Sequence, residues 1–362
     1  MSYKKGKKVL LTGGGTGGSV SPLLAITEEI NRLQIKDCGF QFLWLGTKTG
    51  PERIMVEKES IKFKAIANGK LRRYFSLKNF IDPLLIMIGF FQSLAIILVW
   101  RPNLIISAGS FVSVPVVWAA WVLRVPILIH QQDVCPGLAN KLMAPFAEVI
   151  TVTFEESLAD YGKKAVWTGN PVRQGLTENS KQKIANSFDL SEDIPIVLIV
   201  GGGTGAMAIN ELIKKSLSEL TKFCQIIHIT GKDKFKNYEL RIKNYKCIKF
   251  LEASEMAVAL RLADVIVSRG GMGLLTELSY LGKPAILIPL PDSHQEDNAL
   301  LFKEKEAAIV LDQKELTADD LVIKVKELLD DKELGEKLSK NIGKIIKKGA
   351  NEKIIKIIEK II

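Results

Sequence analysis

The apolar residues of this chain fall in short blocks separated by longer stretches of mixed pattern. Val9 to Leu11 forms one block; a glycine-rich turn follows, and from Pro22 to Leu33 apolar residues recur at helical spacing. The same order returns at Ile196 to Val200, at the turn "GGGTGA" from Gly201 to Ala206, and at the helical pattern from Ile209 to Leu220. Further β-rich blocks predict strands at Phe40 to Leu45, Phe63 to Ala67, Leu104 to Ser107, Ile127 to His130 and Val149 to Val152. In the second half they lie at Gln225 to Thr230, Cys247 to Phe250, Val265 to Ser268, Ala285 to Ile288 and Ala308 to Leu311. Strands alternating with helices imply parallel sheets covered on both faces, so the fold class is α/β, with two doubly wound, Rossmann-like domains. Ligands of such folds lie at the carboxyl ends of the strands, which here predicts a cleft faced by both domains. "TGNPVRQG", residues 168–175, breaks regular structure and marks the joint, giving domains at 1–168 and 169–344. The isoleucines from Ile354 to Ile362 follow helical spacing between lysines, so 345–362 reads as an amphipathic helix packing back on the first domain.

Length supports two domains, because 362 residues exceed the usual size of one core. With 47% hydrophobic and 25% charged residues the chain is a folded protein, and its formal charge of +10 asks for an anionic partner. Nucleic acid is disfavoured, since the lysines scatter over helical faces without interleaved aromatics. Cys38, Cys135, Cys224 and Cys247 form no CxxC pair, which points to a reducing cytoplasm rather than to disulfides or zinc. "MSYKKGKKVLLTGGG" has too short an apolar run for a signal peptide.

One block changes the picture. "PLLIMIGFFQSLAIILVW", from Pro83 to Trp100, has no charged residue in 18 positions, with Lys70, Arg72, Arg73 and Lys78 before it and Arg101 after. It lies between two strands of one sheet, so a crossover helix fits the topology better than a membrane span. Its second apolar face predicts a helix dipping into a membrane interface while nearby cations attract anionic lipid.

A glycine loop before a helix suits phosphate, because it offers backbone N–H groups and the positive end of the helix dipole. Gly13, Gly15 and Gly18 match GxGxxG, yet the second strand ends in "LWLGTKTG", without the acidic residue a dinucleotide ribose requires. There is no GxxxxGK[ST] either. Two such loops without a redox fingerprint suggest a nucleotide-sugar enzyme.

Seven motifs, in order along nearly the whole chain, carry a resemblance to a known family. They are "GGTGGSVSP" (14–22), "SAGSFVSVP" (107–115), "HQQDVCPGLANK" (130–141), "TGNPVR" (168–173), "VGGGTGAMAIN" (200–210), "SRGGMGLLTE" (268–277) and "HQEDNA" (294–299). Together they are similar to the MurG family of peripheral membrane glycosyltransferases. The resemblance implies the GT-B architecture and inverting transfer of N-acetylglucosamine from UDP-GlcNAc to the 4-hydroxyl of the muramyl sugar of lipid I, giving lipid II for peptidoglycan synthesis. It implies no metal or other cofactor and an undecaprenyl-linked acceptor, with cell-wall synthesis proteins as further partners. The expected location is the cytoplasmic face of the cell membrane. It also implies an acceptor and membrane-associating role for the first domain and UDP-sugar binding by the second.

Carried over by motif, donor-binding positions are Thr16, Gly17, Gly18, Asp133, Arg173, Gly203, Leu251, the run Met272, Gly273, Leu274, Leu275, Thr276 and Glu277, then Gln295 and Asn298. Leu251 falls near the uracil, and Glu277 would accept the ribose hydroxyls. Gly14, Gly15, Gly109 and Ser110 fall to the acceptor diphosphate. Three positions depart from the family pattern: Ser19 stands where histidine is usual, Phe111 where tyrosine is, and Asp133 where asparagine is. A serine hydroxyl does not serve unaided as a general base. Asp133 is therefore the expected base, with His130 competing. Transfer to another lipid, such as diacylglycerol or another polyprenyl diphosphate, and an inactive UDP-sugar-binding scaffold are the alternative readings.

Overall fold

The computed structural model describes residues 6–33, 39–69, 78–173, 176, 190–191, 193–202, 205–231 and 242–362, without the side chains of 78–80. The chain forms two compact units, 1–174 with 347–362, and 175–346. The division thus falls at Gln174–Gly175 and Ile346–Lys347, rather than at 168/169 and 344/345.

In the first unit β1 (Lys8–Thr12), α1 (Ser21–Arg32), β2 (Gln41–Gly46), α2 (Glu52–Lys58) and β3 (Lys62–Ala65) are followed by α3 (Lys78–Trp100). Then come β4 (Leu104–Ser107), α4 (Ser113–Val122), β5 (Ile127–Gln131), α5 (Leu138–Met143), β6 (Val149–Val152) and β7 (Ala165–Trp167). The sheet is parallel, in the order β3-β2-β1-β4-β5-β6-β7. Because side chains alternate along a strand, Leu10, Leu43, Ile105 and Ile129 pack one face with α4 residues Val116 and Val117. Val9, Leu11, Trp44, Ile106 and Leu128 pack the other with Leu23 and Ile26 of α1. Ile354, Ile355 and Ile358 of the last helix join that second core.

The second unit holds β8 (Ile196–Val200), α6 (Met207–Leu220), β9 (Gln225–Ile229), β10 (Tyr245–Ile248), α7 (Ala253–Leu262) and β11 (Val265–Ser268). It continues with α8 (Met272–Leu281), β12 (Ala285–Leu287), α9 (His294–Glu304), β13 (Ile309–Val310), α10 (Ala318–Asp330) and α11 (Lys332–Ile345). The parallel order is β10-β9-β8-β11-β12-β13. The last helix, α12 (Ala350–Ile361), belongs to the first unit. In each sheet the strand order reverses beside the first strand, between β1 and β4 and between β8 and β11. Such switch points are where open α/β sheets leave room for ligands.

The predicted strands are present, several with ends shifted by one or two residues, and one further strand, β7, closes the first sheet. The apolar block is α3, a crossover between β3 and β4 that packs on α4. By length and composition Ile81–Trp100 is apolar enough to cross a membrane, yet Gly89, Ser93 and Ile97 are buried along one side. Ile81, Leu84, Met87, Ile88, Phe91, Leu98 and Val99 are exposed. Lys70, Arg72 and Arg73 lie outside the described residues, as does the side chain of Lys78.

Candidate active site

At the first switch point the glycine loop turns back on itself. A Cβ on Gly13 would meet the Ser19 carbonyl at 2.6 Å, and Gly15 has φ +79°, a region favouring glycine. Ser19 is 9% exposed, and its hydroxyl bonds Gly14 O at 3.2 Å and Thr16 O at 3.4 Å. That hydroxyl closes the loop, so the catalytic role expected at the family's histidine position does not suit Ser19. Ser110 of the β4–α4 turn donates to Gly14 O at 2.6 Å, joining the two loops, and the Phe111 ring packs on Gly15.

Glu52, absent from the expected site, organises this region. It has no exposed surface; its Oε1 accepts from the Thr47 N–H at 2.7 Å and from the Thr47 hydroxyl, and its Oε2 from the Gly15 N–H at 3.0 Å. A Cβ on Gly14 or Gly50 would overlap the carboxylate. The Gly109 N–H is likewise taken, by Ser107 Oγ at 3.1 Å. Gly15 and Gly109 therefore do not offer their amides to an acceptor diphosphate as expected. The amides of Thr16, Gly17 and Gly18 donate to no group among the described residues, and these residues are part to fully exposed.

The third motif forms the end of β5. His130 is fully buried, with Nδ1 2.9 Å from Thr151 Oγ1 and Nε2 2.7 Å from Asn170 Oδ1; burial pushes its pKa down to about 4. Both ring nitrogens are committed, so His130 is a structural imidazole rather than the competing base. Gln131 donates to Asp133 O at 2.8 Å and to Cys135 O at 3.1 Å, so its amide oxygen faces Tyr161 and Asn140. That orientation turns the Asn140 NH₂ toward Gln131 and leaves Asn140 Oδ1 buried without a partner among the described residues; Gln132 Oε1 is left in the same way. Asp133 follows, half-buried.

Across the second unit the device at His130 is repeated. His228 is buried, with Nδ1 3.0 Å from Tyr245 Oη and Nε2 3.0 Å from Asn210 Oδ1, and burial lowers its pKa to about 4. Asn210 Nδ2 donates to Thr230 O at 3.0 Å, so the Asn210 oxygen faces the ring and the imidazole proton sits on Nε2. Gly202 and Gly205, at φ +94° and +73°, shape the loop before α6; Gly203 lies outside the described residues.

At the second switch point α8 starts at Met272 after Gly270–Gly271, and a Cβ on Gly271 or Gly273 would meet nothing within 4 Å. Leu275 and Thr276 are buried at 0% and 3%, Thr276 donating to Met272 O at 2.6 Å, and Met272 is buried as well. Of the expected run, only Gly273, Leu274 and Glu277 are partly exposed. Gln295, in the first turn of α9, accepts from the Leu290 N–H at 3.0 Å and is half-buried. Asn298 has no exposed surface and donates to Gly270 O at 3.1 Å. It props the turn before α8, at a position the resemblance placed among the donor-binding residues. Leu251 is 7% exposed, so it has mainly backbone to offer, beside the exposed ring of Phe250. Arg173 belongs to the first unit, with its guanidinium 3.9 Å from Glu59. Among the described residues no three His, Cys, Asp or Glu side chains cluster as a metal site would need.

Helix starts fall into two groups among the described helices. α1, α4, α5, α6 and α8 have neither a capping side chain nor an acid in the first turn. Each begins inside one of the sequence motifs. Apart from α3, every other helix has one or both: α2 has Glu52, α7 and α10 have capping boxes, α9 has Ser293, α11 has Asp331 and α12 has Glu352. A bare first turn keeps its N–H groups and dipole available for an anion.

Comparison with known proteins agrees. Residues 9–152 match the glycosyltransferase family 28 N-terminal domain and 196–354 the family 28 C-terminal domain. A Clostridium kluyveri protein named UDP-N-acetylglucosamine–N-acetylmuramyl-(pentapeptide) pyrophosphoryl-undecaprenol N-acetylglucosamine transferase is 38% identical, covering 98% of this chain and 99% of its own. One of the same name from Clostridium tetani is 35% identical, with 98% of each chain covered. The crystal structure of Acinetobacter baumannii MurG shares the fold at a TM-score of 0.73, with 24% identity over 98% of this chain and 99% of that one. With both family domains present in order and relatives matched from end to end, the chain belongs to glycosyltransferase family 28, among its MurG transferases.

Proposed function

We infer that the protein transfers N-acetylglucosamine from UDP-GlcNAc to the muramyl sugar of lipid I, forming lipid II. The observation that carries this reading is the end-to-end likeness to transferases named for that reaction. The reaction is inverting: the acceptor 4-hydroxyl oxygen bonds to C1 of the donor sugar, the bond from C1 to the diphosphate breaks, and UDP leaves with the electron pair. The hydroxyl proton must go to a base. Asp133 takes it in this reading, supported by its half-exposed place at the carboxyl end of β5 and by the commitment of Ser19 and His130 to protein groups. The bare turns of α6 and α8 suit the UDP diphosphate, with Glu277 accepting from the ribose and Gln295 meeting the sugar. Thr16 to Gly18 keep amides for an acceptor or for the transferring sugar.

The exposed apolar face of α3 supports docking on the cytoplasmic surface of a membrane. Trp121, Val122 and Leu138 are exposed too, and Arg101 and Arg124 supply exposed positive charge on the same unit. Neither a glycerolipid acceptor nor an inactive scaffold draws support from the relatives.

The test is UDP release from UDP-GlcNAc, with lipid I against diacylglycerol as acceptor. Turnover with lipid I alone is the expected result. Asp133→Asn should lower kcat by roughly 10² to 10⁴ with UDP affinity retained, the range ordinary for a lost general base. Near-normal turnover in that variant would remove Asp133 from the role.

A further inference from the structure

Arg269 follows β11 and precedes the bare first turn of α8 by three positions. Among the described residues it is the only buried lysine or arginine, 7% exposed, and the buried carboxylates Glu29, Glu52 and Asp82 all lie in the other unit. Its Nη1 donates to Ile288 O at 3.0 Å and Pro289 O at 3.1 Å. Carbonyl dipoles solvate a guanidinium but leave its charge whole. Burial lowers its pKa from the ordinary arginine value, and no acid among the described residues acts on it. It remains a cation at any working pH, since arginine does not lose its proton in proteins.

Two turns meet around this side chain. Arg269 reaches from the end of β11 to the end of β12, Asn298 of α9 holds Gly270 O, and a Cβ on Gly270 would meet the Gln295 carbonyl at 2.6 Å. The turn opening α8 and the turn carrying Gln295 are thereby fixed together. We infer that Arg269 is a positioning residue for the donor's diphosphate: it holds these two turns in register and sets a fixed, unneutralised positive charge beside the bare start of α8. The inference rests on the donor-site reading above and adds what that reading lacks, a buried source of charge selectivity. A diphosphate gains from that charge; an uncharged nucleoside does not.

Titration calorimetry with UDP and with uridine tests it, using the full chain, Arg269→Gln and Arg269→Lys. The glutamine variant keeps a donor for the carbonyls and loses the charge. It should lose about tenfold or more of the preference for UDP over uridine, while uridine affinity stays within about twofold. The lysine variant should retain most of that preference. A folded glutamine variant with an unchanged preference overturns the inference, and so does equal weakening of both ligands, which marks a purely structural role. Should the glutamine variant fail to fold, the wild-type protein decides by salt. A buried charge is poorly screened, so the preference should persist from about 0.05 M to about 0.5 M NaCl. Its collapse over that range would assign the preference to surface lysines and overturn the role of Arg269. Wild-type protein that binds neither ligand would instead refute the donor-site reading, a result separate from these.

Discussion

Glu52 lies among Gly14, Gly46 and Gly50, and its carboxylate holds the loop at Gly15 to the β2–α2 turn. Glu52→Ala should cost roughly 3 kcal/mol in urea unfolding, because both donors of buried Thr47 and the part-buried N–H of Gly15 would lose their acceptor. The sequence hid this residue. The glutamate follows a proline at a helix start, where acids are commonplace, and the glycines around it read as phosphate-binding rather than as room for a carboxylate. Ser19 and Asp133 were legible as departures from a motif, but whether a hydroxyl faces solvent or its own loop depends on folded geometry. His130 and His228 carry a pH prediction. Their folded pKa values, about 4, lie below the ordinary 6.5, so the unfolded chain binds protons more readily. Their contribution to stability is whole above pH 6.5 and is lost as pH falls toward 4, by roughly 2 kcal/mol each at pH 4.5. Urea titrations at pH 7 and 4.5 should show the drop, smaller in His228→Gln.

The strands were legible because buried parallel strands are short and uniformly apolar, as Val9 to Leu11 and Val265 to Ser268 are. β7, only Ala165–Trp167 and at the sheet edge, is too short and too exposed to stand out. The helix starts, by contrast, carry a signal that the glycines obscured: among the described helices, the five with neither a cap nor a first-turn acid all begin inside motifs, whereas α9, at the motif of Gln295, keeps its Ser293 cap. Filling one should exchange function for stability. Gly271 has φ −81°, ψ 133° and space for a side chain, the geometry of a capping aspartate. Gly271→Asp should raise stability by about 0.5–1 kcal/mol in chemical unfolding. It should also weaken UDP binding by about tenfold or more, since the new carboxylate would take the N–H groups and repel phosphate.

The whole chain joins a net positive charge to one long apolar helix face. Phe91→Asp combined with Ile88→Asp, both exposed on α3, should reduce sedimentation with anionic vesicles by about tenfold or more and leave UDP affinity unchanged. An equal loss of UDP binding would mean that α3 supports the fold and not a lipid surface. The division into units has a further consequence, for synthesis. The second unit is continuous from 175 to 346, whereas the first takes its final core residues, Ile354, Ile355 and Ile358, from α12. On the ribosome the later-encoded unit can finish folding first. Until α12 emerges, the earlier one must wait with the groove beside α1 uncovered and α3 already exposed, an interval in which an emerging chain is open to chaperones, to lipid and to its own neighbours.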